Sequence, residues 1–149
     1  KLKKLLYKKN GKEFDIKNIA TGIKSFGILE LLLKNERLDE KTILIIDEPE
    51  VHLHPKWQIR YAELLILISK SLKVKILLNS HSPYFIRALS IYGRKYKYQD
   101  YMDFYISTKA SNISTEVIKA KSNLTDIFDI LMEPYEVLEN ILDESDGNE

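Results

Sequence analysis

Two short apolar segments constrain the fold of this chain more than any other feature: the continuous run 42–47 (TILIID) and a second buried-strand pattern at 74–79 (VKILLN). An apolar run without polar alternation suits a strand covered on both faces, the habit of parallel sheets. Between the runs, Pro55 opens a helix to about residue 71, with Leu64, Leu65, Ile68 and Leu72 at helical spacing. Proline fits there because the first helical position needs no amide donor. Beyond the second run, Pro83 starts another helix through about residue 92. Strand, helix, strand, helix is the pattern of an α/β fold.

The rest of the chain extends this frame. Residues 13–19 read as a short strand and residues 22–35 as a helix that buries Leu29, Leu32 and Leu33, with Glu30 and Lys34 four apart on its wet side. Residues 102–108 and 115–121 read as later, antiparallel strands, and residues 124–142 as a pair of helices bent at Pro134. Six lysines in the first twelve residues and an acidic last seven read as solvated, frayed ends. At 149 residues the chain is one domain in size, and 44% hydrophobic residues suffice for a single core. With 23 Lys and Arg against 22 Asp and Glu, the net charge of +1 excludes a global field for nucleic acid or an anionic membrane. The absence of cysteine removes disulfides, thiolate metal ligands and cysteine nucleophiles, and fits a cytoplasmic setting. The apolar runs fall far short of the roughly 20 residues of a membrane span.

Chemistry gathers at the ends of the two apolar strands. Ligands of open parallel sheets lie beyond the carboxyl ends of the strands. Asp47-Glu48 follows the first run and Ser80-His81 the second. If the strands are neighbours, about 4.8 Å apart, both pairs reach one phosphate-sized ligand. Asp47 suits Mg²⁺, which takes one or two carboxylates and keeps several waters. Glu48 suits the acceptance of a proton from an attacking water, and His81 suits donation to a phosphoryl oxygen.

These residues carry a family resemblance. The segment ILIIDEPEVHLHP (43–55) resembles the Walker B strand, catalytic glutamate and D-loop of ABC-type ATPase heads, in the branch of RecF, SMC and OLD-like proteins. LLNSHSPYFI (77–86) resembles its switch-histidine segment, and NIATGIKSF (18–26) lies where its signature element belongs. The resemblance implies a P-loop NTPase-type, mostly parallel sheet flanked by helices, of which residues 1–149 form one domain, the carboxyl-terminal lobe. It implies ATP and Mg²⁺ as cofactors, Asp47 as the metal carboxylate, Glu48 as general base and His81 as γ-phosphate sensor. It assigns residues 50–55 to a D-loop touching a second subunit, and Thr21, Gly22, Lys24 and Ser25 to a signature element that meets the γ-phosphate held by that subunit. A Gly-opened helix start supports this, since its free amides and dipole favour an anion. A head-to-tail homodimer follows, and the branch couples such heads to DNA, to a nuclease, or to phage defence.

The departures are equally specific. Ala20 stands where the signature has a serine, and no G-x-x-x-x-G-K-[ST] phosphate cradle occurs: Gly22 and Gly27 have that spacing, but Ile28 follows. A P-loop lobe is therefore expected to precede this one, and the isolated chain is expected to turn over little ATP. A non-catalytic interaction module that keeps the fold is the alternative, and a metal-dependent hydrolase using His52 and His54 is a third reading. His52 and His54 fall on opposite sides of an extended segment, which argues against a shared metal. Trp57 and Tyr61 read as packing under the D-loop. Residues 92–101 (YGRKYKYQDY) mix basic and aromatic side chains, which suits a solvated loop over the sheet edge or a nucleic-acid track.

Overall fold

The computed structural model describes residues 6–9, 12–15, 21–109, 114–121 and 124–146. In order come β1 (Leu6–Lys9), β2 (Lys12–Asp15), α1 (Thr21–Lys34), β3 (Ile43–Asp47), α2 (Pro55–Leu72), β4 (Lys75–Asn79) and α3 (Pro83–Lys95). A 3-10 turn (Gln99–Tyr101), β5 (Tyr105–Lys109), β6 (Thr115–Lys119) and α4 (Thr125–Asp146) complete the fold.

The two apolar runs pair in parallel, Ile43 opposite Lys75 through Asp47 opposite Asn79. Helices cover one face of this pair. Leu44, Ile46, Ile76 and Leu78 pack on a core made by Leu29 of α1, Tyr61, Ala62, Leu65 and Ile68 of α2, and Phe85, Ala88 and Leu89 of α3. The prolines at the starts of α2 and α3 sit at the first helical turn, and Ser82 caps α3 by accepting from the Phe85 amide. Lys73, in a left-handed conformation, ends α2 and turns the chain into β4.

The other face corrects the expectation of a sheet covered on both sides. Ile43, Ile45 and Leu77 are 62%, 71% and 62% exposed. An unbroken apolar run reports that both faces of a strand are apolar, and says nothing of which chain supplies each cover. Beside β4 a cleft of about 1210 Å³ opens, bordered by residues 73–81, by 102–107 leading into β5, and by Ile127, Ile130 and Leu131 of α4.

β5 and β6 form the expected antiparallel pair, and a second cluster of Ile86, Ile106, Leu124 and Ile127 joins them to α3 and α4. Three expectations change. Residues 6–9, read as a frayed end, pair with β2, which is antiparallel to β1 and ends at Asp15; residues 16–19 lie outside the described part. Leu29 is buried, but Leu32 only partly and Leu33 is exposed, because α1 presents a narrower stripe to the core than its leucines suggest. Residues 125–146 form one helix that runs through Pro134 and the acidic residues after it. An internal proline removes one amide bond and bends a helix as readily as it ends one. Among the described residues no helix is long and apolar enough to cross a membrane.

Candidate functional site

Parallel register sets Asp47 level with Asn79 at the carboxyl ends of β3 and β4. The Asn79 side-chain amide donates to Asp47 Oδ1 at 3.0 Å, and the Glu48 amide donates to the Asn79 carbonyl at 3.0 Å, which carries the ladder one residue past the strand. Glu48 then turns sharply, with φ of 41°, a left-handed conformation that is unfavourable for a residue with a side chain. Glu48 and His81 thereby project from adjacent strand ends, Oε1 to Nε2 at 3.7 Å. That separation is too long for a hydrogen bond, and both side chains are open to solvent.

Glu50 closes the turn from within. It is 6% exposed, and its Oε1 accepts from the Ser80 hydroxyl at 2.6 Å, the His81 amide at 3.1 Å and the Ser82 amide at 3.2 Å. Ser82 in turn donates its hydroxyl to Gln58 Oε1 at 2.6 Å, and Gln58 Nε2 donates to the Leu53 carbonyl at 3.0 Å. The turn after β3, the first turns of α2 and the loop after β4 are thus one hydrogen-bonded unit.

The start of α1 docks against this unit. Gly22 is buried, and a Cβ at its position would lie 2.7 Å from Leu53 Cδ2 and 3.0 Å from the His52 carbonyl oxygen. A side chain there would crowd both the Leu53 side chain and the backbone of residue 52, which favours glycine. Phe26, one turn on, meets Tyr61 edge-on at 4.9 Å and Trp57 at 5.8 Å. Thr21 begins the helix, and Lys24 and Ser25 are half-buried in its first turns. The structure thus brings Asp47, Glu48 and His81 together directly, whereas Thr21, Gly22, Lys24 and Ser25 lie on a helix that meets the site through residues 52 and 53.

Asp47 is exposed, with one carboxylate oxygen on Asn79. Among the described residues no group of three or more His, Cys, Asp or Glu side chains gathers to hold a metal. A single open carboxylate is the donor set of a cation that keeps most of its water, as Mg²⁺ does. His54 spends its Nδ1 on the Lys56 amide as the cap of α2, and His52 has φ of 65° in the turn. Of the two aromatics expected to pack there, Tyr61 is 2% exposed between Phe26 and Phe85, whereas Trp57 meets Phe26 but is 58% exposed.

Of the tyrosines of residues 92–101, Tyr92, Tyr96 and Tyr98 are half-buried and Tyr101 is exposed. Tyr92 and Tyr96 stack 6.1 Å apart beneath Lys95, and Tyr98 reaches Ser69 at 3.0 Å. Tyr96 donates to Glu63 at 2.5 Å, and this bond, with Arg60 and Lys95, holds the Glu63 carboxyl below its ordinary range. Burial pushes the Tyr61 hydroxyl up to about 12.

Sequence reasoning placed Ser80 at the site but missed its bond to Glu50, and it missed Asn79, Gln58 and the inward direction of Glu50. Asn79 was discoverable, since parallel pairing sets it level with Asp47. Glu50 and the Ser82 bond of Gln58 carry no local signal, because those partners lie 30 to 32 and 24 residues away.

Comparison with known proteins adds three findings. Residues 2–86 match the AAA ATPase domain family. The chain is 39% identical over 54 residues to Septu protein PtuA of Bacillus thuringiensis, a match that spans 36% of this chain and 13% of the relative. Its fold is similar to a solved structure from work on ATP-driven dimerization and DNA-stimulated activation of SMC ATPases, with a TM-score of 0.52, 12% identity, and coverage of 89% of this chain and 67% of that one.

Proposed function

The chain belongs to the AAA ATPase domain family, and from that premise we propose that it supplies the hydrolytic half of an ATPase head. The observation that carries this reading is the approach of Glu48 to His81 at 3.7 Å beside the open carboxylate of Asp47. Glu48 takes the proton of the water that attacks the γ-phosphorus, a role worth roughly 10²–10⁴ in rate. His81 donates its Nε2 proton to an oxygen of the phosphoryl group as charge builds there. Asp47 is the residue that would hold Mg²⁺, which neutralises phosphate charge when bound. Asn79 orients Asp47 by occupying one of its oxygens.

The phosphate cradle comes from a separate P-loop lobe, because the sequence holds no G-x-x-x-x-G-K-[ST]. The uncovered Ile43, Ile45 and Leu77 support this, being an apolar face that such a lobe would cover. The start of α1, with Thr21, Gly22, Lys24 and Ser25, serves the site of a second copy in a head-to-tail dimer. Its docking on residues 52 and 53, within the segment expected to touch a second subunit, supports a role in trans. The structurally similar SMC ATPase, described for ATP-driven dimerization and DNA-stimulated activation, supports the dimer and the DNA-related part of this reading, which extends to a cytoplasmic assembly with a DNA-directed or nuclease partner or a defence role.

The test is Glu48→Gln in the complete protein, followed by phosphate release and by sizing with ATP. Lost turnover with an ATP-retaining dimer is expected. Hydrolysis at the native rate would remove Glu48 from the mechanism.

A further inference from the structure

We propose that Glu50 is the positioning residue of the ATPase site, holding the backbone of His81 so that its imidazole stays level with Glu48. The inference rests on the reading of His81 as the group that meets the γ-phosphate.

Three donors from consecutive residues converge on one oxygen of Glu50: the Ser80 hydroxyl and the His81 and Ser82 amides, at 2.6, 3.1 and 3.2 Å. The other oxygen, Oε2, is buried and has no hydrogen-bond partner among the described residues. A buried carboxylate with an unpaired oxygen is a poor stabiliser, since its lost hydration is only half replaced. Nor is it needed to begin α3, because Ser82 already caps that helix. What such an acceptor provides is short, directional bonds to fixed amides.

His81 needs that anchor. Its side chain is 73% exposed, so packing does not hold the imidazole and its place depends on the backbone beneath. Glu50 lies two residues beyond Glu48 in one hydrogen-bonded turn, with the Val51 amide on the Glu48 carbonyl at 3.1 Å and the Leu53 amide on the Glu50 carbonyl at 2.9 Å. One rigid turn therefore carries both the general base and the anchor of its partner. The distance between Glu48 and His81 is set within that turn.

The experiment measures steady-state ATP hydrolysis and hydrogen exchange of residues 80–86 in the complete protein for Glu50→Ala, Glu50→Gln, Ser80→Ala and His81→Ala. Misplacement of a reacting group by about 1 Å lowers turnover by about 10²-fold. Glu50→Ala is expected to lower kcat by about that factor with KM for ATP little changed, and to speed exchange at the amides of residues 81 and 82. Glu50→Gln keeps an acceptor oxygen and is expected to restore most of both. Ser80→Ala removes one donor without a core change and is expected to lower kcat a few-fold, which decides the matter if Glu50→Ala does not fold. Native kcat in His81→Ala would overturn the ATPase reading of His81 itself. If His81→Ala is impaired while Ser80→Ala and Glu50→Gln match the wild type and Glu50→Ala, where folded, keeps native kcat and exchange, the anchor is refuted. A loss in Glu50→Ala that Glu50→Gln fails to restore, with global melting lowered, reduces Glu50 to a structural residue.

Discussion

Glu48 and His81 stand 3.7 Å apart, Oε1 to Nε2, although they follow different strands separated by the whole of α2. Their exposures of 45% and 73% leave both free to meet a ligand from solvent. Two groups that act on one transition state are grossly non-additive. His81→Ala in the complete protein is expected to lower kcat by about 10²-fold, in the range of a lost hydrogen-bond donor. The double variant with Glu48→Gln is expected to be no slower than Glu48→Gln alone. Single-turnover phosphate release measures both, and multiplicative losses would mean independent roles.

The left-handed backbone of Glu48 yields a separation of stability from activity. At φ of 41° a side chain is unfavourable by about 1 kcal/mol or more relative to glycine. Glu48→Gly is expected to raise the unfolding free energy by about 1 kcal/mol while abolishing turnover. Urea unfolding beside ATPase assays checks this, and a destabilised Glu48→Gly would show that the carboxylate contributes to folding.

A methyl group at Gly22 would be crowded, with the His52 carbonyl oxygen 3.0 Å from the position of a Cβ. Leu53 can rotate away from that methyl, but the carbonyl cannot without shifting the turn. Gly22→Ala is expected to destabilise by about 1–3 kcal/mol, the range for overpacking. A thermal melt measures it, and an unchanged midpoint would show that α1 moves freely on the turn.

Acid should loosen the link between α2 and α3 before it touches the core. Glu63 is held below its ordinary value of 4.5, chiefly by the Tyr96 hydroxyl. A carboxyl depressed in the folded state stabilises fully above its unfolded value and loses that contribution as pH falls through the folded one. Lys95, raised by Tyr96 and then Glu63, keeps its share up to its ordinary 10.5. Glu63→Gln is therefore expected to flatten the loss of stability below about pH 4.5 and to change little between neutral and pH 10. Unfolding midpoints across pH test this, and a variant as acid-sensitive as the wild type would exclude Glu63 as the source.

The uncovered sheet face gives the last prediction. Ile45 is 71% exposed, and a substitution at an exposed site ordinarily shifts stability by no more than about 0.5 kcal/mol. Ile45→Asp is expected to destabilise the complete protein by several times that amount, and to weaken ATP binding, if a P-loop lobe covers this face. Calorimetry and nucleotide titration read both, and a neutral Ile45→Asp would mean that the face stays bare.

Much of this molecule was legible in local pattern. The prolines at 55 and 83 mark the starts of α2 and α3 because a ring without an amide fits only the first turn. The apolar runs mark β3 and β4, and the rule for parallel strand ends names Asp47, Glu48 and His81 before any contact is seen. These are properties of residues within a few positions of one another, and periodicity records them. Tertiary structure decided the rest. Whether Pro134 divides a helix, whether Ile45 meets a neighbour, and whether Glu50 turns outward or receives Ser80, His81 and Ser82 depend on what arrives from elsewhere in the chain. A glutamate in a turn has the same local preferences in either case. Only the parallel register of β3 on β4 brings three donors within reach of its carboxylate, and register is a property of two strands rather than one.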